Sequence, residues 1–315
     1  MLLQVLARVY WYTTGMAKVL VLAGGNSTER DVSLRSGMAV VKALRAAGHT
    51  VTQFDPERGI AAKDVAGVGV AFPVLHGIGG EDGTIQAELD KFGVPYVGSG
   101  VAASELCFDK WDYKQFLQTH QLPVPEGTLI GKAGFDALTH PAGFVLKPND
   151  GGSSIDTYIY RGNGPVDQAQ VNDLFSRHGR MLFEELIVGT EITVAVVGDE
   201  ALPVIEIVPP ESGEFDYENK YNGKSQELCP PKSVSDALQA EARKLALQAH
   251  TLTGCRDFSR TDIMIGPGDA LYLLETNTIP GMTDQSLLPK AAQVAGIDMP
   301  ALVDKLVRFA LARTA

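Results

Sequence analysis

The stretch of sequence that decides the fold is RTDIMIGPGDALYLLETN, residues 260–277. Gly266–Asp269 have the composition of a tight turn, and the apolar runs on either side are predicted to pair as antiparallel strands. A four-residue turn places Asp262 opposite Leu273. The register of this hairpin sets which side chains share a face, so the rest of the chain is placed around it.

The same register places Arg260 opposite Glu275. Strand side chains alternate between faces, so one face is predicted to carry Arg260, Asp262, Glu275 and Asn277. The other face is predicted to carry Ile263, Ile265, Leu274 and Thr276. Two carboxylates and a carboxamide indicate a Mg²⁺ and phosphate site, because Mg²⁺ takes oxygen ligands. The alternative is a solvent-facing polar side with an Arg–Glu cross-strand pair, and this stretch alone does not decide between them.

A glycine- and serine-rich loop, NDGGSS at residues 149–154, follows an apolar strand that ends near Lys147. Glycine lets the backbone approach a phosphate closely, and successive N–H groups with serine hydroxyls can surround it. Lys147 adds a positive charge. The loop is not a Walker motif, because GxxxxGK[ST] is absent, and the alternative is a flexible hairpin turn.

The amino-terminal segment alternates strands with helices, which predicts an α/β domain with a parallel sheet that ends near residue 109. The predicted elements are strands at about 18–22, 50–54 and 68–73 and a helix at about 84–92. Thr28–Asp31 is predicted to form a capping box that opens an earlier helix. Apolar residues follow at helical spacing at Leu34, Met38, Val41 and Leu44, and Gly48 is predicted to end the helix.

Polar residues gather where the strands of that sheet end, and ligands usually bind at this edge. The run HGIGGEDG, residues 76–83, follows one strand, and Glu29 lies at the start of the first helix. His76 and Glu29 are therefore candidates for substrate binding. The alternatives are a structural histidine and a carboxylate that stabilises the helix through its dipole.

From about residue 111 the sequence no longer alternates regularly between strands and helices, which predicts further domains. The predicted elements are helices at about 111–119 and 235–253 and strands at about 143–147, 157–160, 181–184, 191–197 and 203–208. Asp298 is predicted to cap a final helix, with Pro300 in its first turn. The polar loop at residues 211–232 is long enough to close over a site, although an ordinary exposed loop is the alternative.

Length and composition indicate a globular protein of two or three domains. The chain has 315 residues, of which 45% are hydrophobic and 21% charged. No apolar run reaches the roughly 20 residues that span a bilayer, and residues 1–16 lack the basic start of a secretory signal. A net charge of −11 argues against a nucleic-acid partner. Three cysteines without metal-ligand spacing are ordinary for a reducing cytoplasm.

Taken together, these motifs resemble those of the D-alanine–D-alanine ligases of the ATP-grasp superfamily. The matching stretches, in family order, are residues 24–33, 76–83, 95–99, 109–110, 147–154, 214–221, 260–262, 275–283 and 286–287. The resemblance implies an ATP-grasp architecture of mixed α/β and α+β class. Its parts would be an N-terminal parallel-sheet (pre-ATP-grasp) domain at 17–109, a small central domain with the phosphate loop at 110–187, and a C-terminal domain with the lid loop and metal site at 188–315.

The resemblance also implies a role for each matching residue. ATP would be bound by Lys110, Lys147, Gly152, Ser154, Glu184, Glu185, Ile187 and Glu191. D-Alanine would be bound by Glu29, His76, Lys220, Ser286 and Leu287. Catalysis would involve Glu29, Ser153, Tyr221, Arg260 and the backbone N–H of Gly281. Two Mg²⁺ ions, which Mn²⁺ could replace, would be held by Asp262, Glu275 and Asn277.

The activity that the resemblance implies is ligation of two D-alanine molecules through an acyl phosphate, for peptidoglycan precursor synthesis. A cytoplasmic location and a homodimer formed through the N-terminal domain follow from the same resemblance. One alternative is a related ligase that uses D-lactate or D-serine as second substrate, against which Tyr221 argues. The other is a nucleotide-binding protein that has lost catalysis, against which the complete set of lysine and metal positions argues.

Asp156 departs from the family pattern, which has glycine two residues after the serine pair. A carboxylate near a triphosphate is repulsive unless it points away or meets a cation. Replacement of Asp156 by glycine is therefore expected to lower the KM for ATP.

Overall fold

The computed structural model of the protein describes residues 16–152, 156–209 and 225–313, and in that part of the chain the strands form three sheets. The strands are β1 (Lys18–Leu22), β2 (Thr50–Phe54), β3 (Val70–Pro73), β4 (Gly127–Gly131), β5 (Phe144–Pro148), β6 (Tyr158–Tyr160), β7 (Arg180–Glu185), β8 (Thr190–Val197), β9 (Glu200–Ala201), β10 (Ile205–Val208), β11 (Gln226–Leu228), β12 (Phe258–Ile265) and β13 (Leu271–Asn277). The helices are α1 (Arg30–Ala46), α2 (Thr84–Lys91), α3 (Val101–Phe108), α4 (Lys110–Thr119), α5 (Lys132–Ala137), α6 (Gln168–His178), α7 (Asp236–Leu252), α8 (Leu287–Val294) and α9 (Met299–Ala312).

The first sheet has the strand order β2-β1-β3, and both pairings are parallel. The parallel amino-terminal sheet predicted from the sequence is therefore confirmed. Every residue of β3 is buried, as expected for a parallel strand covered on both faces. The helix α9 returns from the end of the chain to pack its Leu302, Leu306 and Val307 into the core of this sheet.

The start of α1 differs from the predicted capping box. The helix begins at Arg30, and Glu29 occupies the N-cap position without a side-chain capping hydrogen bond. Met38, predicted on the apolar side, is 60% exposed. Val41 and Leu44 are buried as predicted. The buried side also includes Gly37, where the helix approaches the sheet closely: a Cβ on Gly37 would lie 2.4 Å from the Cβ of Ala23.

The β12–β13 hairpin forms as predicted, but its register is different. Asp262 pairs with Glu275, and Arg260 pairs with Asn277. The turn is one residue longer than expected, since the N–H of Gly266 donates to the carbonyl of Ala270, and a bulge adds one further residue on β13.

The two shifts cancel in parity, so the polar face of the hairpin still carries Arg260, Asp262, Glu275 and Asn277. In the stretch of β13 between the turn and the bulge only one shift applies, so the side chains there face the opposite way from the prediction. Leu273 pairs with Ile263 on the buried face and is fully buried, whereas Leu274, predicted to lie there, is only half-buried. The assignment of Leu274 to the apolar face was wrong, because one extra residue in a strand reverses the side-chain alternation next to it.

The two remaining sheets frame the site. The largest has the order β11-β10-β8-β12-β13 with β9 beside β8, and the other has the order β4-β7-β5-β6. The strands of the three sheets fall within the spans 17–109, 110–187 and 188–315, and we retain these spans as proposed domains. The helix α4, although it lies in the middle span, packs Tyr113 and Leu117 into the core of the largest sheet. None of the described helices combines the length and apolar character needed to cross a membrane.

Candidate active site

Two cavities meet at the polar face of the β12–β13 hairpin. The first cavity has a volume of about 720 Å³ and the second a volume of about 680 Å³. The residues that line both are Glu29, Lys110, Gly151, Gly152, Glu191, Asp262 and Glu275. We call this common wall the junction. It brings carboxylates, a lysine and a glycine-rich loop from three distant parts of the chain to one place.

Every sequence-predicted site residue that the structure describes lines at least one cavity. Besides the junction residues, the first cavity is lined by His76, Arg260, Asn277, Gly281, Ser286 and Leu287. The second cavity is lined by Lys147, Glu184, Glu185 and Ile187. Ser153, Ser154, Lys220 and Tyr221 lie outside the described residues, as does the part of the predicted lid loop up to residue 224.

Asp262 is held in place by hydrogen bonds to both of its carboxylate oxygens. Arg260 Nε and Nη2 donate to them at 2.9 and 2.8 Å, and the Thr193 hydroxyl donates at 2.6 Å. Burial works to lower the pKa of Arg260, but the carboxylates of Asp262 and Glu275 outweigh it and raise that pKa. Arg260 is therefore a permanently charged, largely shielded cation that lines the first cavity.

The hairpin face offers oxygen ligands suited to Mg²⁺. Asp262 and Glu275 are direct cross-strand partners, and Asn277 lies two residues further along β13, where its Oδ1 accepts from the N–H of Ile279 at 2.8 Å. Among the described residues no group of three or more His, Cys, Asp or Glu side chains is arranged to hold a metal. Two carboxylates and a carboxamide oxygen are nevertheless the donors that Mg²⁺ takes together with substrate phosphates, so these residues fit the ion.

Lys110 connects the glycine-rich loop to the hairpin. Its Nζ donates to the carbonyl of Gly151 at 2.6 Å and lies 3.8 Å from Glu275 Oε2. Its backbone N–H donates to the carbonyl of Asn149 at 2.9 Å. The cation is therefore fixed at the junction by the loop that the sequence assigned to phosphate.

Lys147 shares a buried carboxylate with a second lysine. Its Nζ lies 2.6 Å from Glu184 Oε2, and Lys114 Nζ contacts the other oxygen. Burial works to raise the pKa of Glu184, but the two lysines outweigh it and lower that pKa, so Glu184 is charged. The family resemblance assigned Glu184 to ATP binding, and the structure places its carboxylate between these two cations.

The amino-terminal wall of the first cavity carries two acids of different character. Glu29 Oε2 would lie 3.4 Å from a Cβ on Gly152, so this carboxylate reaches the glycine-rich loop. Glu81 is buried and accepts the N–H of Gly77 at 2.7 Å. Burial, helped by the charge of Glu29, raises the pKa of Glu81 to about 8.

His76 is an uncharged residue of the same wall. Burial lowers the pKa of His76 to about 4, and its Nε2 lies 3.3 Å from Ser36 Oγ. The imidazole is therefore neutral at neutral pH, and it can take part in hydrogen bonds but not in ion pairs.

The far end of the first cavity is a helix N-terminus. Ser286 is the N-cap of α8, Leu287 is its first residue, and Ser286 Oγ accepts the N–H of Thr283 at 3.0 Å. A Cβ on Gly281 would lie 2.7 Å from Ser286 Oγ, so a larger residue there would displace this hydroxyl. N–H groups at a helix start bind anions, which suits a substrate carboxylate.

The second cavity has an apolar end. The segment after β7, residues 186–188, lines it, together with Met264 and the bulge residue Leu274. Apolar walls with a few polar groups are typical of sites for flat, heterocyclic ligands.

Asp156 also lines the second cavity, and its charge is compensated. His178 Nε2 lies 2.7 Å from Asp156 Oδ2, and Arg177 contacts the same oxygen. Burial works to raise the pKa of Asp156, but Arg177 and His178 outweigh it and lower that pKa. The residue has a φ of 60°, in the left-handed region that favours glycine. The expected repulsion is therefore offset by two neighbours that the sequence did not connect to it.

Three residues of the site were missed by sequence reasoning. Glu81 stood in the quoted glycine-rich run without a role, and only its burial distinguishes it from the neighbouring acid. Thr193 was an ordinary strand residue until pairing placed it beside Asp262. Lys114 lies in the predicted helix at about 111–119 and was given no role, because no sequence signal separates a buried lysine from an exposed one.

Comparisons with known proteins point to one family. The D-ala D-ala ligase N-terminus model matches residues 52–99, and the D-ala D-ala ligase C-terminus model matches residues 117–308. A D-alanine–D-alanine ligase of Oleidesulfovibrio alaskensis is 42% identical over 302 residues, which cover 94% of this chain and 97% of the relative. One of Desulforudis audaxviator is 43% identical over 307 residues, which cover 94% of this chain and 99% of the relative.

Solved structures show the same similarity. The D-alanine–D-alanine ligase of Bacillus anthracis has a TM-score of 0.79 at 29% identity and covers 95% of this chain and 98% of its own. The structure of that ligase complexed with ATP has a TM-score of 0.79 at 28% identity and covers 94% of this chain and 98% of its own.

Proposed function

The chain belongs to the D-alanine–D-alanine ligase family, and on that premise we propose that it joins two D-alanine molecules while ATP is converted to ADP and phosphate. The observation that carries the proposal is the junction, where a cavity with an apolar end and lysines opens directly into a cavity with a helix N-terminus and buried acids. ATP in the second cavity would present its γ-phosphate to a D-alanine carboxylate in the first.

The first step is activation of a carboxylate. An oxygen of the first D-alanine's carboxylate attacks the γ-phosphorus of ATP, the bond to the β,γ-bridging oxygen breaks, and ADP leaves. The product is an acyl phosphate, whose phosphate is a far better leaving group than oxide. Lys110 and Lys147 hold the phosphates in line, and Glu29 holds the ammonium group of this D-alanine. Positioning and charge neutralisation supply most of the acceleration in phosphoryl transfer.

The second step forms the peptide bond. The amine of the second D-alanine, whose carboxylate binds at Ser286 and Leu287, attacks the acyl carbon. Arg260 and the N–H of Gly281 stabilise the oxyanion that develops. Collapse of the tetrahedral intermediate expels phosphate, and the nitrogen loses a proton. Ser153, Tyr221 and Lys220 are proposed to close and align the site, and exclusion of water protects the acyl phosphate.

Asp262, Glu275 and Asn277 are proposed to hold two Mg²⁺ ions, which Mn²⁺ could replace. When bound, the ions would supply positive charge to the phosphate oxygens. Arg260 orients the Asp262 carboxylate through two hydrogen bonds.

The biological setting is proposed from the family. The dipeptide would serve peptidoglycan precursor synthesis in the cytoplasm, where ATP is available, and the chain would act as a homodimer through its N-terminal domain. The related activities with D-lactate or D-serine are not favoured, since the relatives compared above are named for D-alanine.

An amino-acid-dependent assay of ADP release tests the proposal. Purified protein with ATP and MgCl₂ should form ADP only when D-alanine is added, with one D-alanyl-D-alanine per ADP. L-Alanine should give no ADP, and D-lactate or D-serine beside D-alanine should give little mixed product. ADP formation that is independent of any amino acid, or the absence of dipeptide, would overturn the proposal.

A further inference from the structure

Lys114 is a buried lysine that touches neither cavity. It lies on α4, is 2% exposed, and donates to the carbonyl of Pro125 at 2.7 Å. Its Nζ also contacts Glu184 on β7, whose other oxygen binds Lys147. Lys147 lines the second cavity and Lys114 does not. A lysine side chain is rarely buried unless it has a charged partner, and for Lys114 that partner is Glu184.

The three groups form a buried cluster with one excess positive charge. Glu184 is 2% exposed, and a buried carboxylate is costly unless a cation compensates it. Lys147 is the cation that is expected to bind phosphate. If Lys147 were the only partner of Glu184, one of two things would follow. Lys147 would bind ATP and leave a buried carboxylate uncompensated, or Glu184 would keep Lys147 away from the phosphates.

We propose that Lys114 is a positioning residue that remains bound to Glu184 when Lys147 turns to the ATP phosphates. It supplies the counter-charge that lets Lys147 leave, and it keeps the cluster positive toward the nucleotide. This inference rests on the proposed function, because it takes the second cavity to be the ATP site. Lys114 itself never contacts ATP.

The directions of the pKa shifts agree with unequal roles for the two lysines. Burial works to lower the pKa of Lys147, but Glu184 and Glu275 outweigh it and raise that pKa. Burial lowers the pKa of Lys114, and the attraction of Glu184 does not restore it. The lysine at the cavity thus has additional acidic neighbours at the junction, Glu275 and Glu191. The acids that act on Lys114 are Glu184, which it contacts, and to a smaller extent Glu185.

Binding of ATP and of adenosine, measured by calorimetry with MgCl₂, separates this role from a structural one. Adenosine has no phosphates, so the ratio of its Kd to that of ATP reports the contribution of the phosphates. In Lys114→Met this ratio is expected to fall about tenfold, because Lys147 remains with Glu184. In the double variant Lys114→Met/Glu184→Gln the ratio should return to within about threefold of the wild-type value, because no buried carboxylate holds Lys147.

A matched control is Lys132→Met, which removes an exposed lysine paired with Asp136 on α5 and should leave the ratio unchanged. An unchanged ratio in Lys114→Met overturns the inference, and so does failure of the double variant to recover. If Lys114→Met does not fold, Glu184→Gln is compared with the double variant, and a tenfold difference between them overturns the inference. Failure of the wild-type protein to bind ATP would instead overturn the proposed function.

Discussion

At the scale of single residues, the junction is a set of charges that compensate one another before any ligand arrives. Arg260 neutralises Asp262, and the lysine pair neutralises Glu184. Glu81 is the exception, since burial and Glu29 hold its proton in place. Each of these states can be tested by one substitution.

Arg260→Ala is expected to bind ATP within a few fold of the wild-type affinity and to lose turnover by about 10²–10³, the usual cost of removing an oxyanion donor. Calorimetry and steady-state kinetics measure the two quantities. Arg260→Lys keeps the charge without the two-pronged contact to Asp262 and should fall between. A kcat of Arg260→Ala close to the wild-type value would remove Arg260 from the mechanism.

Glu81→Gln should stabilise the protein, and more so as pH rises. The pKa of Glu81 lies near 8 in the fold against an ordinary 4.5, so between these values the unfolded chain releases a proton that the folded chain keeps. Wild-type stability therefore falls with rising pH, by at most about 1.4 kcal/mol per pH unit from this residue, and glutamine removes that loss. Thermal melts at pH 5.5 and 7.5 measure it. The same shift in Tm at both pH values would argue against a neutral Glu81.

Asp156→Gly is now expected to change the KM for ATP by less than about twofold, since Arg177 and His178 already compensate the charge. Arg177→Ala exposes that carboxylate to the nucleotide and should raise the KM for ATP about two- to fivefold, a modest effect because the pair is partly exposed. Addition of Asp156→Gly to Arg177→Ala should restore the wild-type KM. A large fall in KM for Asp156→Gly alone would support uncompensated repulsion instead.

At the scale of elements, the hairpin shows what sequence could and could not predict. Alternation and turn composition were enough to place Arg260, Asp262, Glu275 and Asn277 on one face. The register was not predicted, because neither the fifth turn residue nor the bulge leaves a trace in a pattern of apolar and polar residues. The prediction of the polar face was correct only because two shifts of one residue add up to two, which returns the side chains to the same face.

Adjacent leucines of β13 provide a matched pair that tests the bulge. Leu273→Ala removes a fully buried side chain and should destabilise the fold by about 2–5 kcal/mol, with the ATP affinity of the folded protein retained. Leu274→Ala should cost little stability and weaken ATP binding severalfold, because this side chain lines the second cavity. Urea unfolding and calorimetry measure the two effects. A large loss of stability in Leu274→Ala together with weakened ATP binding in Leu273→Ala would instead support the register expected from the sequence.

For the other elements too, local features were predicted correctly and features that depend on tertiary packing were not. The parallel strands and the cap of α9 follow local rules, and Asp298 accepts the N–H of Ala301 as expected. The capping box at α1 failed because the helix begins at Arg30, which puts Glu29 rather than Thr28 at the N-cap. Lys114 and Glu81 were missed because burial depends on elements that pack from far along the chain. Local sequence predicts elements, and only their packing identifies the buried charges.

At the scale of the whole molecule, the site exists only when distant segments assemble. Glu29 comes from the N-cap of α1, Lys147 from the four-stranded sheet and Asp262 from the largest sheet. The amino- and carboxyl-terminal parts are tied together directly, since the N–H of Gly98 donates to Asp257 Oδ2 at 2.7 Å. The cavities meet where the three parts meet, which is where a phosphoryl group would pass from one substrate to the other.

The most direct test of the account is the fate of a carboxylate oxygen. D-Alanine labelled with oxygen-18 in both carboxylate oxygens is incubated with ATP and the protein, and the phosphate and nucleotide products are analysed by mass spectrometry. Transfer at the junction predicts one oxygen-18 atom in each phosphate released, with ADP unlabelled. Phosphate without label, or label in AMP with release of pyrophosphate, would contradict an acyl phosphate formed where the two cavities meet.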